Sequence, residues 1–242
     1  VVRIDPARPL RDEVRRISDA LLSAIAGHLD GSTAIDFHEA RKAIKKLRAL
    51  LRLTRKADTV AIKQADGQLR DAARSLAGAR EADAAIEMLE RFIRDYPDRI
   101  VDCRLGEMRA ALLTRRASFG SDEIEAARFA ALAHCNAARV VLANANFDGR
   151  TTDHDILAHG MTRTLKHWRK RLDEAMRTKP GGEAFHDLRK AVKAHGAQLA
   201  LLRDFNLKCA DARRREVDAL GERLGELNDV ADMRARLRTG MT

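Results

Sequence analysis

The chain has 242 residues, long enough to bury a sizeable core as one large domain or two of about 120 residues each. Its formal net charge of +10 points to a negatively charged partner and excludes an acidic-surface protein. No run approaches the roughly 18 uninterrupted apolar residues of a membrane span, and Cys103, Cys135 and Cys209 have neither the even number of a disulfide framework nor the short spacing of a zinc site.

Aromatic residues make up only 4% of the chain, while Ala, Leu, Arg, Glu and Lys dominate almost every stretch, so the expected fold class is all-α. In chain order, Pro6 after Asp5 is expected to open the first helix, with Gly31 just past its end. Thr33 with Asp36 reads as a capping box ahead of a second helix reaching about Arg55, and Asp58 as the cap of a third. Further helices are expected at about 80–95, 98–118 and 122–143, the last led in by Ser121, Asp122 and Glu123. The turn-rich stretch from Asn144 to Arg150 then reads as a break. Thr152 and Asp155 suit the start of a long helix to about Arg177, which Lys179-Pro180-Gly181-Gly182 ends. Helices at about 183–203 and 210–226 and a short one to Arg238 complete the chain. The sequence opens Val1-Val2 without a signal-peptide pattern, which makes the cytoplasm the expected compartment, and without an initiator methionine, which leaves room for a preceding segment.

The chain also repeats itself. Phe37-His38-Glu39-Ala40-Arg41-Lys42-Ala43-Ile44-Lys45 matches Phe185-His186-Asp187-Leu188-Arg189-Lys190-Ala191-Val192-Lys193 at six of nine positions, with an offset of 148 residues. At the same offset, Leu76-Ala77-Gly78-Ala79-Arg80-Glu81 lies over Leu224-Gly225-Glu226-Leu227-Asn228-Asp229. A duplicated helical unit predicts two pseudo-symmetric bundles within a single domain spanning 1–242, one half at about 1–143 and the other at about 152–242.

On a helix over 37–54, Phe37, Ala40, Ala43, Ile44, Leu47, Leu50 and Leu51 share one arc, the candidate core. His38, Arg41, Lys45, Arg48 and Arg52 form a neighbouring stripe, with Lys42 and Lys46 just beyond it. Positions 37–56 hold eight Lys or Arg against the single acid Glu39, whereas an ordinary solvated face intersperses the two signs. Such a stripe is about 21 Å long and suits a linear row of anions. The second copy places His186, Arg189 and Lys193 at equivalent angles with Lys190 beside them, but Ala194 and Gly196 stand where the first copy has Lys46 and Arg48, so its row is shorter.

Taken together, these residues resemble the CHAD domain, the conserved-histidine α-helical domain, in which each half carries a helix of the type His-x-x-Arg-Lys-x-x-Lys. The run His38 to Arg48 is similar to the first-half motif and His186 to Lys193 to the second. Arg80-Glu81-Ala82-Asp83 resembles the family's Arg-Asp-x-Asp with Glu81 in place of an aspartate, and Leu227-Asn228-Asp229 resembles a later acidic turn. The resemblance spans nearly the whole chain. It implies two helical bundles around a basic groove or pore, a role in binding inorganic polyphosphate, often on granules in the cytoplasm, and no catalysis and no cofactor. The contacts it implies are His38, Arg41, Lys42, Lys45, Lys46, Arg48, Arg52, His186, Arg189, Lys190 and Lys193.

Two other readings compete. Nucleic acid also offers a row of phosphates, but the basic helices carry only Phe37 and Phe185 as stacking residues, both on the apolar arc. A metal-dependent phosphohydrolase is suggested by His38-Glu39, His186-Asp187 and His154-Asp155 with His159; yet the repeated histidines are flanked by cations that repel a divalent ion, and His154 and His159 do not share a helical face. Glu81, Asp83, Asp229 and Asp232 are expected to cap helices or pair with the basic row. Lys166, Arg169, Lys170 and Arg171 near Trp168 are expected to form a solvated face with Asp173 and Glu174.

Overall fold

The computed structural model describes residues 2–30, 35–95, 104–118, 120–147, 149, 151–205 and 210–239, with side chains at the same positions except 79–83, 104, 210 and 237–239. Among them the chain forms α1 (Leu10–His28), α2 (Phe37–Leu53), α3 (Thr59–Ser75), α4 (Ala77–Asp95), α5 (Arg104–Ala117), α6 (Ser121–Ala143), α7 (Asp153–Met176), α8 (Glu183–Leu201) and α9 (Ala210–Thr239). A 3-10 turn follows α8 at Arg203–Phe205, and no described residue lies in a strand.

Short polar side chains satisfy the free N–H groups where helices begin. Asp36 accepts from the Glu39 N–H at 3.0 Å, and Thr152 from the Asp155 N–H at 3.1 Å. Asp58 accepts from Ala61 at 3.0 Å and, through its other oxygen, from the Asn146 N–H at 3.0 Å, so one carboxylate starts α3 and pins the segment after α6. The first helix begins later than its sequence suggests, at Leu10 and not at Pro6. Pro9 offers no capping side chain, and Asp153 of α7 accepts the Leu10 N–H at 2.9 Å instead. Thr33 and the stretch 98–103, expected to be a cap and part of a helix, lie outside the described residues.

The apolar arc of α2 is the centre of the largest core. Ala40, Ala43, Ile44, Leu47, Leu50 and Leu51 are buried where α2 packs on α1, α3, α7 and α8, in a cluster that α6 joins through α1 and α3. Each fully buried leucine or isoleucine there contributes about 1.5–3 kcal/mol. A second cluster joins α7, α8 and α9 through Ala175, Leu188, Val192, Leu199, Val217 and Leu224. A third packs the α4–α5 hairpin onto Met233 near the end of α9. Helix α2 packs directly against both α7 and α8, so the two basic helices lie side by side.

Residues 210–239 form one continuous helix, not the expected helix to 226 and a separate short one. Gly221 and Gly225 lie where α9 meets side chains of α8: a Cβ would sit 2.9 Å from Lys193 Cε at the first and 3.2 Å from Arg189 Nε at the second. These glycines serve close packing and do not end the helix. Gly181, with φ +83, does end the preceding segment, and it also lies against Ala231, whose Cβ a side chain at 181 would meet at 2.6 Å. None of the described helices is long and apolar enough to cross a membrane.

Candidate functional site

Because Asp36 fixes the start of α2, the first turns of that helix carry His38, Arg41, Lys42 and Lys45 toward one opening. They line a cleft of about 820 Å³ with His186 and Arg189 of α8, Arg91 and Arg94 of α4, and Asp229 of α9. The histidine and the first arginine of both repeat copies therefore face the same space.

The cations of this cleft are held in place. Arg41 Nη1 donates to the Ala73 carbonyl at 2.6 Å, an otherwise open acceptor in the last turn of α3. Lys42 Nζ donates to Glu39 at 2.7 Å, which holds the Glu39 carboxyl below its usual value. Arg189 lies over Gly225 of α9, and its Nε is buried with no hydrogen-bond acceptor. A cationic N–H left in that state favours an incoming anion. Burial lowers the pKa of His186, and the nearby charges of Lys190 and Arg189 lower it further while Asp232 and Asp187 oppose them. Its imidazole is thus neutral at pH 7.

The α4 wall is mixed in sign. Arg91 pairs with Asp229 across to α9, Arg94 Nε lies 3.2 Å from Asp95, and Glu87 and Glu90 also line the cleft. Asp229 is therefore an ion-pair partner within α9 and not part of a turn. The side chains of Arg80, Glu81 and Asp83 lie outside the described residues.

The C-terminal half of the α2 stripe departs from the expected unneutralised row. Arg48 Nε lies 2.7 Å from Asp66 Oδ1 and Arg52 Nε 3.4 Å from Asp66 Oδ2. Asp66 belongs to α3, which packs along α2, so the carboxylate comes from outside the helix whose charge was being read. Arg52 and Lys190 line a separate cavity of about 520 Å³ between α2, α3, α7 and α8, with Arg55, Lys63, Arg163, His167 and Arg171. Lys46, Arg48 and Lys193 line neither space; Lys46 is exposed and Lys193 lies over Gly221. The structure thus brings together six of the eleven expected contacts in one cleft and two in another.

Arg91, Arg94, Arg55, Lys63, Arg163 and His167 were not singled out from the sequence. Arg91 and Arg94 sit among acids on α4 and carry no pattern of their own, whereas Arg163 and His167 share a face of α7 at i,i+4, a weak signal that was available. Near Trp168, Lys170 and Arg171 pair with Glu174 at 3.8 and 2.7 Å; Lys170 stays on a solvated face as expected, whereas Arg171 turns to the second cavity and lies 3.4 Å from Asp187. His154 is 89% exposed beside Asp155. No group of three or more His, Cys, Asp or Glu side chains able to hold a metal ion occurs among the described residues. Cys135 is buried in the core, which pushes its thiol up to about 11; Cys103 and Cys209 lie outside the described residues.

No curated protein and no solved structure matches the chain. One protein-family model does: that of the CHAD domain, over residues 7–238.

Proposed function

The chain belongs to the CHAD domain family, and from that premise we propose that it binds inorganic polyphosphate, without catalysis, in the cleft between α2, α4, α8 and α9. The observation that carries this reading is the convergence of His38 and Arg41 with His186 and Arg189 on one space, with Lys42 and Lys45 beside them. Guanidinium and ammonium groups bind phosphate oxygens through charge-assisted hydrogen bonds, and neutral His186 adds one more donor. Release of counterions from a condensed polyanion then drives affinity, so binding weakens steeply with salt.

The same reading includes an internal duplication. Moved by 148 residues, α1 and α2 fall within or over α7 and α8, and α3 with the start of α4 falls over α9. In this account α9 is the uninterrupted counterpart of α3 and α4, which are separated only by Leu76. The cytoplasm, and polyphosphate granules within it, are the locations proposed for the complex.

Binding of long-chain polyphosphate, duplex DNA and single-stranded RNA compared at one salt concentration tests the proposal. Polyphosphate should bind at least ten-fold more tightly than either nucleic acid, and Lys45→Glu with Arg189→Glu should abolish the preference. Equal affinity for DNA would remove the specificity. Release of phosphate dependent on a divalent ion would replace binding with hydrolysis.

A further inference from the structure

We propose that the cavity between α2, α3, α7 and α8 is a second anion site, suited to the compact triphosphate group that tripolyphosphate and nucleoside triphosphates share. It shares no lining residue with the first cleft. Its contribution from the end of α2, Leu51 and Arg52 with Arg55 just beyond, begins about 15 Å along the helix from Arg41.

The charges of the cavity do not balance. Arg52, Arg55, Lys63, Arg163, Arg171 and Lys190 surround it, against Asp66 and Asp187, with Glu174 outside the lining also pairing with Arg171 at 2.7 Å. Both lining carboxylates are already engaged, Asp66 by Arg48 and Arg52, and Asp187 by Lys190 at 3.1 Å and Arg171 at 3.4 Å. Arg55, Lys63 and Arg163 form no ion pair with a described carboxylate. Arg163 is fixed all the same, because its Nη2 donates to the Arg52 carbonyl at 3.3 Å. Burial and then the charges of Arg55 and Arg52 lower its pKa, and Asp66 opposes them.

Polar atoms in the wall add a second, independent observation. Gln198 is completely buried; its Nε2 donates to the Ala49 carbonyl at 3.3 Å and its Oε1 has no partner. Arg171 Nε is likewise buried and unpartnered. Both residues line the cavity. Arg171 Nε, a cationic N–H donor, is the open atom that an anion satisfies, whereas Gln198 Oε1 is an acceptor and offers nothing to a phosphate oxygen. A volume of about 520 Å³, against about 820 Å³ for the first cleft, is that of a small-molecule pocket and suits a compact group.

The test is calorimetric titration of the full chain with tripolyphosphate, ATP and long-chain polyphosphate at one low salt concentration. Tripolyphosphate should bind. Arg55→Gln with Lys63→Gln should weaken it at least ten-fold, while Lys42→Glu with Lys45→Glu in the first cleft leaves it within about two-fold. Binding of ATP at similar strength identifies a nucleoside triphosphate as a source of the group, and binding of tripolyphosphate alone identifies an inorganic one. In the unmodified protein, tripolyphosphate should shift the NMR signals of His167 and leave those of His38 in place, a readout that needs no variant to fold; His186 is not diagnostic, because Lys190 and Asp187 of this cavity also act on it. The reverse pattern of variants or of histidine shifts, or no binding of either ligand, overturns the proposal even if long polyphosphate binds. Failure of long polyphosphate alone overturns the reading of the first cleft and leaves this one standing.

Discussion

His195 is 2% exposed, its ring stacks on Trp168 with centroids 5.5 Å apart, and Arg213 lies over the same indole. Burial first, and the charge of Arg213 second, lower its pKa from 6.5. The unfolded chain then takes up a proton near pH 6.5 that the folded chain accepts only at lower pH, so stability falls as pH drops below about 6.5. His167 and His186 are shifted in the same direction, with burial again the largest cause, and steepen the effect. Melting temperature should therefore fall between pH 7.5 and 5.5. His195→Phe, which keeps a ring against Trp168 and removes a buried Nδ1 that has no partner, should make the fall shallower. An unchanged slope would show that His195 does not limit acid stability. Asp66 gives a second prediction at this scale. Asp66→Asn removes the carboxylate that Arg48 and Arg52 share; with side chains 20–41% exposed, the loss of stability should be only about 1 kcal/mol in denaturant unfolding. Affinity for a polyanion should rise, because two guanidinium groups lose their internal competitor. The sequence made the stripe visible, since helical spacing determines which residues share a face. It did not reveal Asp66, because ion pairing between helices depends on packing that no local pattern encodes.

At the scale of the element, starts were more legible than ends. Asp58 and Thr152 cap the helices their positions suggested, because a cap is a local hydrogen bond between residues three apart, whereas α2 is capped by Asp36, expected only as the partner of a Thr33 cap. Pro6 misled for the opposite reason: α1 takes its cap from Asp153, 143 residues away in sequence. The expected break after about 226 is absent from α9, where Gly221 and Gly225 make room for side chains of α8 and leave the helix unbroken. Gly160 of α7 is the sharpest case. A Cβ at this position would lie 1.9 Å from the Leu53 carbonyl oxygen and 2.7 Å from its carbon, at the last turn of α2. Backbone cannot swing aside as a flexible side chain does, so Gly160→Ala must push α7 away from α2. It should destabilise the fold by about 3 kcal/mol despite the better helix propensity of alanine, measured by chemical denaturation. A neutral or stabilising outcome would mean that the two helices do not approach so closely.

For the molecule as a whole, the contacts proposed for polyphosphate come from helices that belong to different apolar clusters. Phosphates held between α2 and α8 would tie the first core to the second, and contacts from Arg91 and Arg94 would extend the tie to the α4–α5 hairpin. This cross-linking was only partly legible: the repeat showed that two basic helices exist, but their packing side by side, and the approach of α4 to them, arise from the tertiary arrangement. A ligand that binds only the folded chain stabilises it by about 2.7 kcal/mol when present at 100 times its dissociation constant. For a protein of 242 residues that corresponds to a rise in melting temperature of roughly 5–10 °C. Long-chain polyphosphate at saturation should produce such a rise in scanning calorimetry, and the rise should shrink as salt increases because the ligand's counterions are no longer released into a dilute solution. Lys45→Glu with Arg189→Glu should remove it at every salt concentration, each rise being measured against the unliganded melting temperature of the same variant. A salt-independent rise, or one that survives both substitutions, would place the polyanion somewhere other than this cleft.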